Sequence, residues 1–191
     1  MSDNVYLGNP NLKKANTPIE FTQEQILEFM KCKEDPVYFA NNYIKIVSLD
    51  EGLTQFHPYD FQEKLIHNFH NNRFNICKMP RQTGKSTSAA GYLLWYAMFK
   101  PDSTILVAAH KQAGAQEIMQ RIRYAYESVP DHIRAGVTEY NKGSISFDNG
   151  SRIVASTTTE NTGRGMSLTL VYLDEFAFVP PRIASEFWTS L

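Results

Sequence analysis

The stretch Phe74-Asn75-Ile76-Cys77-Lys78-Met79-Pro80-Arg81-Gln82-Thr83-Gly84-Lys85-Ser86 decides the fold. A short apolar run leads into a loop, and the loop into the helix-like run Ala89-Ala90-Gly91-Tyr92-Leu93-Leu94. Strand, loop, helix is the setting a phosphate-binding loop requires, because backbone N–H groups and the positive end of the helix then converge on one anion. Gly84 lets the chain approach the phosphates closely, Lys85 reaches the β- and γ-phosphates as a mobile charge, and Ser86 places its hydroxyl on Mg²⁺. Pro80, Arg81, Gln82 and Thr83 complete the loop. Met79 stands where the usual first glycine would be, so the motif is a variant.

Further along, Leu170-Val171-Tyr172-Leu173-Asp174-Glu175 reads as a buried strand ending in two acids. In an open α/β sheet such acids emerge at the carboxyl end of their strand, beside the phosphate loop. The expected division of labour gives Asp174 the Mg²⁺ shell and Glu175 the attacking water, which it orients and deprotonates. The acidic run alone is weak; coupled to the loop at this separation it makes the chain an ATPase candidate.

Three further residues carry alternatives. Arg81, inside the loop, either stabilises charge on the transferring phosphoryl or crosses to an acid and locks the loop. Arg164 lies in Asn161-Thr162-Gly163-Arg164-Gly165, where it is either an arginine finger for a neighbouring subunit's ATP or a loop-anchoring salt bridge. Gln62, on a helix before the first strand, either reads the adenine edge, with Tyr59 or Phe61 stacking nearby, or is an ordinary surface glutamine.

The sequence divides into a flexible arm over residues 1–20, a helical region over 21–72 and an α/β core over 73–191. Thr22 with Gln25 forms a capping box for a first helix whose stripe Ile26, Leu27 and Met30 is expected inside. Asp35-Pro36 starts a second helix with Phe39, Tyr43 and Ile44 inward. Ile46 to Leu49 is a candidate strand and Gly52 to Pro58 a loop. A third helix should bury Phe61, Leu65 and Phe69. The core is expected to run as a strand near Phe74–Lys78, a helix over 86–99, a strand at Thr104–Ala108 and a helix over 112–126. A hairpin around Asp148-Asn149-Gly150 and the acidic strand at Leu170–Leu173 follow. The fold class is therefore α/β with a central, mostly parallel sheet. The helical pattern at Pro181–Trp188 breaks off soon after the acidic strand, so a core truncated beyond that strand is expected.

With 19 Lys and Arg against 20 Asp and Glu, the net charge of −1 excludes a generally basic, histone-like binder but not a local basic surface. Cys32 and Cys77 occupy unlike contexts and suggest no disulfide framework; Cys77 is expected to be a small buried hydrophobe. No secretion signal opens the chain and its longest apolar run is too short to span a bilayer, so a soluble cytoplasmic protein with no membrane partner is expected.

Pro80-Arg81-Gln82-Thr83-Gly84-Lys85-Ser86, Gly163-Arg164-Gly165 and Val171-Tyr172-Leu173-Asp174-Glu175-Phe176 together resemble the large terminase subunit of tailed bacteriophages, most closely its T4-like branch. The resemblance runs from about Pro36 to Phe178. It implies a P-loop NTPase fold of the RecA-like type with an additional catalytic glutamate, using ATP and Mg²⁺. It also implies a motor that drives double-stranded viral DNA into a procapsid. The partners implied are the portal protein, the small terminase subunit and further copies forming a ring, in the cytoplasm of an infected bacterium. By the same resemblance Gln62 reads adenine, Lys85 and Ser86 clamp nucleotide, Arg81 is the loop arginine, Arg164 acts between subunits, Asp174 holds Mg²⁺ and Glu175 is the base. The family's coupling motif and its nuclease domain have no counterpart here. A helicase or remodelling ATPase, and a nucleotide-binding module without turnover, are the competing readings.

Overall fold

Residues 4–16 open the chain as a packed hairpin rather than a flexible arm. The computed structural model describes residues 4–48 and 52–190. Strands β1 (Val5–Tyr6) and β2 (Asn9–Lys13) pair antiparallel, and Leu12 enters the main core at 4% exposure. The Lys13 ammonium donates to the carbonyls of Asp131 and Arg134, and the N–H of Asn16 donates to Asp148. The polar composition that suggested an arm conceals one buried leucine and a set of long-range hydrogen bonds.

Helix α1 (Gln23–Glu34) starts on the expected capping box: Thr22 Oγ1 accepts from the Gln25 N–H at 3.2 Å, and Gln25 Oε1 accepts from the Thr22 N–H at 3.0 Å. Its apolar stripe does not face inward, however. Ile26, Leu27 and Met30 are exposed, and Cys32 is the residue α1 buries. Asp35 caps α2 (Pro36–Tyr43) with proline at the first helical position, and Phe39 and Ile44 are buried as expected. Strands β3 (Lys45–Ser48) and β4 (Gly52–Gln55) form a second hairpin; the first residues expected as loop are therefore strand, and Leu49 lies outside the described residues. Helix α3 (Asp60–Asn71) buries Leu65 and packs Phe69 against the core as expected, but it leaves Phe61 exposed and buries Gln62 and Ile66 as well.

Phe74–Lys78 is not a strand. The segment is irregular and unpaired, with Phe74 75% and Ile76 99% exposed, and Cys77 is exposed rather than buried. An apolar run becomes a strand only where a neighbour satisfies its backbone. Helix α4 (Lys85–Phe99) is buried on nearly every side, with Trp95 fully enclosed and its indole N–H donating to the Cys32 carbonyl at 2.6 Å.

Strand β5 (Thr104–Ala109) is buried on both faces. Alternation sends Ile105 and Val107 into the main core with α4 and α5 (Gln112–Ser128), while Leu106 and Ala108 meet Phe187 on the opposite side. Strands β6 (Val137–Tyr140), β7 (Ser144–Phe147), β8 (Arg152–Thr157) and β9 (Leu170–Asp174) complete a five-stranded sheet of order β6-β7-β8-β5-β9. Strands β8 and β9 flank β5 in parallel, and the other two pairings are antiparallel, so the sheet is mixed rather than mostly parallel. A 3₁₀ turn (Phe176–Phe178) leads to α6 (Pro181–Ser190), which supplies Phe187. No described helix is long and apolar enough to cross a membrane.

Candidate functional site

Gly84 takes the left-handed conformation, φ 73° and ψ 14°, immediately before the first residue of α4. Gln82 is also left-handed at φ 61°, so the chain turns twice between Arg81 and Lys85. The loop is braced by Thr83 Oγ1, which donates to the Pro80 carbonyl at 3.0 Å. Lys85 starts the helix, and its ammonium curls back to donate to the carbonyl of Pro80 at 2.8 Å and weakly to that of Met79 at 3.4 Å. Ser86 follows in the first turn, where backbone N–H groups have no intrahelical acceptor.

Asp174 ends β9 opposite Ala109, the last residue of β5, which puts it at the carboxyl edge of the sheet. The Tyr172 hydroxyl donates to Asp174 Oδ1 at 3.1 Å. Ser86 and Cys77 lie near enough to Tyr172 to influence its phenol, so the end of β9 meets the start of α4. Burial raises the Asp174 carboxyl above the ordinary aspartate range. The Tyr172 hydrogen bond opposes burial, Glu175 and Glu117 add to the rise, and Lys85 opposes it. Glu175 is left-handed at φ 50° and caps the following turn, with the Phe178 N–H donating to its carbonyl at 3.0 Å.

The expected residues thus come together in part. Lys85, Ser86 and Asp174 share one region, and Glu175 adjoins it. Arg81 is exposed and forms no salt bridge among the described residues, so its loop-locking alternative is not formed. Arg164 is exposed as well and forms no salt bridge among the described residues, so its anchoring alternative is not formed there either. Its loop is nevertheless fixed, since the buried Thr162 hydroxyl donates to the Thr157 carbonyl at 2.6 Å. Gln62 is not a surface residue: it is 5% exposed and hydrogen-bonded to Thr83 of the loop. The motifs alone did not single out Tyr172, although its place two residues before Asp174 on a strand puts both side chains on one side. Glu117, on α5, gave no signal.

A cavity of about 300 Å³ opens between β3, α4 and α5, bordered by Thr87, Glu117 and Arg121. It abuts the first two turns of α4 and none of the residues 79–86, and an Arg121–Glu117 ion pair of 2.7 Å stands at its edge.

The family described as "Terminase large subunit, T4likevirus-type, N-terminal" matches residues 76–191, the greater part of the chain. The chain belongs to this family of large terminases. Among solved structures, the large terminase of bacteriophage HK97 is similar, with a TM-score of 0.65 at 18% identity over 83% of this chain. That likeness shows a shared α/β fold. The matched region is 34% of the HK97 protein, so this terminase chain spans about a third of that relative's length. Within the terminase match fall the whole 79–86 loop, Arg164 and the acidic pair Asp174-Glu175.

Proposed function

We propose that this terminase region binds ATP with Mg²⁺ on the 79–86 loop and hydrolyses it, as the ATPase part of a motor that drives double-stranded viral DNA into a procapsid. The observation that carries the reading is the placing of Lys85 and Ser86 in the first turn of α4, straight after the left-handed Gly84, and of Asp174 at the carboxyl edge of the sheet, where Tyr172 donates to it. Family membership supports the packaging role over a helicase.

The residues present fit the nucleotide. The left-handed Gly84 turns the chain into α4, and Lys85 supplies a positive charge that needs only to leave two carbonyls of its own loop. No group of three or more His, Cys, Asp or Glu side chains gathers among the described residues. A metal here would therefore share its shell between Ser86, Asp174 and the phosphates. When bound, Mg²⁺ would draw charge from the phosphate oxygens. The chain's own contributions are then distinct. The loop from Arg81 to Gly84 supplies N–H donors, Glu175 holds and deprotonates the attacking water, and Arg81 offers charge to the transferring phosphoryl. Arg164 serves a neighbouring subunit in a ring at the portal, with the small terminase subunit as a further partner, in the cytoplasm of an infected bacterium. The core is a P-loop NTPase of the additional-glutamate type. The unpaired Phe74–Lys78 segment supports the view that this core is completed in a longer protein.

Calorimetry with MgATP tests the reading. Wild type should bind, and Lys85→Ala should bind at least tenfold more weakly; equal affinities would remove the loop from the site.

A further inference from the structure

Gln62 does its work through its side-chain amide, which is occupied at both ends. Oε1 accepts the Tyr59 N–H at 2.9 Å, and Nε2 donates to the Thr83 carbonyl at 3.0 Å. Only this orientation of the amide satisfies both partners, so the assignment of its oxygen and nitrogen follows from the network. The first bond caps the start of α3. The second crosses 21 positions of sequence to the phosphate loop. The side chain is also wedged against Gly84, since a Cβ built there would lie 2.3 Å from Gln62 Nε2.

The direction of the second bond has a consequence for the loop. A trans peptide is planar, so the carbonyl of Thr83 and the N–H of Gly84 point opposite ways. Holding the carbonyl toward Gln62 turns the Gly84 N–H away from it, and that N–H has no acceptor among the described residues. A donor without a partner, in the turn that leads into a helix N-terminus, is what an anion requires.

We infer that Gln62 is a positioning residue for the phosphate loop: its amide fixes the Thr83–Gly84 peptide so that the Gly84 N–H faces bound phosphate. The inference rests on the triphosphate reading of the loop given above. Gly84 is then required twice over, once for its left-handed backbone and once because Gln62 occupies the space of a side chain. The exposed, stacked rings of Tyr59 and Phe61, 5.8 Å apart, flank Gln62 without altering this role.

The test compares three ligands, MgATP, MgGTP and magnesium tripolyphosphate, on wild type and on Gln62→Met, which keeps the side chain's length but removes both hydrogen bonds. A positioning role lowers affinity for all three by the same factor, about three- to tenfold, as expected for one lost hydrogen bond. Gln62→Glu is the second variant: it still accepts from Tyr59 but cannot donate to Thr83, so it should show the same uniform loss even if Gln62→Met folds poorly. Loss confined to ATP, with GTP and tripolyphosphate unaffected, would make Gln62 a base reader and overturn the inference. Unchanged binding of all three in both variants would reduce Gln62 to a helix cap and overturn it equally. If wild type binds none of the three, the triphosphate reading falls and takes this inference with it.

Discussion

Tyr172 holds Asp174 by a hydrogen bond of 3.1 Å from its phenolic hydroxyl to Oδ1, two positions back along β9. The bond favours the charged carboxylate, against the burial that raises its pKa. Tyr172→Phe should therefore push the Asp174 carboxyl further up. Since Mg²⁺ takes the carboxylate and not the acid, Mg²⁺-dependent nucleotide binding in this variant should need a higher pH than in wild type. Titrations of Mg²⁺ at several pH values between about 5 and 7.5 would show the displacement, and superimposable curves would deny Tyr172 this role.

The two acids should separate cleanly. Glu175→Gln should retain MgATP binding and lose hydrolysis, because a base acts in the transition state rather than the ground state. Asp174→Asn should lose Mg²⁺-dependent binding. Without divalent cations it should also melt higher than wild type at neutral pH. A carboxyl whose folded pKa is raised loses stability as pH climbs through its titration, and the amide has no proton to lose. Melting curves at pH 4 and pH 7 check the sign: the gain should be present at 7 and diminish at 4.

Arg164 stands exposed between Gly163 and Gly165, both left-handed, on a loop that Thr162 fixes. A side chain so placed, with no ion pair among the described residues, can reach outward to another copy. Mixing Arg164→Ala with Glu175→Gln under ring-forming conditions should restore part of the ATPase activity that each lacks alone. Confirmed co-assembly with no recovery would remove the trans role.

Glu28 gives a pH signature remote from the loop. Burial works to raise its pKa, but hydrogen bonds from Tyr43 and Tyr38, with Lys31 nearby, hold it below the usual glutamate range. A depressed carboxyl stabilises the fold above its unfolded pKa and ceases to do so as pH falls through its folded value. Tyr43→Phe should cost about 1.5–3 kcal/mol at pH 7, the range for a hydrogen bond to a charged group. The gap in melting temperature from wild type should close toward pH 3. A gap independent of pH would mean that the loss is one of packing.

Phe187 is fully buried and joins α6 to Leu106 and Ala108 of β5, with its ring 5.7 Å from that of Phe176. Phe187→Ala should cost about 3–5 kcal/mol in denaturant unfolding. Because Phe176 directly follows Glu175, the variant should also hydrolyse ATP more slowly than its remaining folded fraction accounts for.

Local chemistry was the legible part of this sequence. Thr22 with Gln25 and Asp35 with Pro36 name their helix starts, because a cap involves only neighbours in the chain. Gly84 before Lys85 announces a left-handed turn for the same reason, and the unbroken apolar run of β5 announces burial on both faces. What stayed hidden depends on partners. Ile26, Leu27 and Met30 form a regular stripe, but spacing says where apolar side chains lie and not whether anything covers them. Phe74 to Cys77 has strand composition without a strand beside it. Gln62 and Thr83 meet across two elements, and neither residue type signals the other. For the site, the loop and acids were readable as motifs, whereas Tyr172 and the Gln62 tie needed three dimensions.

The free edge of β9 and the bare Phe74–Cys77 segment have a practical outcome for anyone handling this chain. An unpaired edge is a template, and nearby apolar side chains open to water favour whatever extended peptide arrives first. Concentrated samples should self-associate, and a charge introduced at Ile76, the most exposed of these residues, should keep them dispersed. A handful of side chains just upstream of residues 79–86 should thus set how the chain behaves in concentrated solution, although the composition of the whole chain is ordinary.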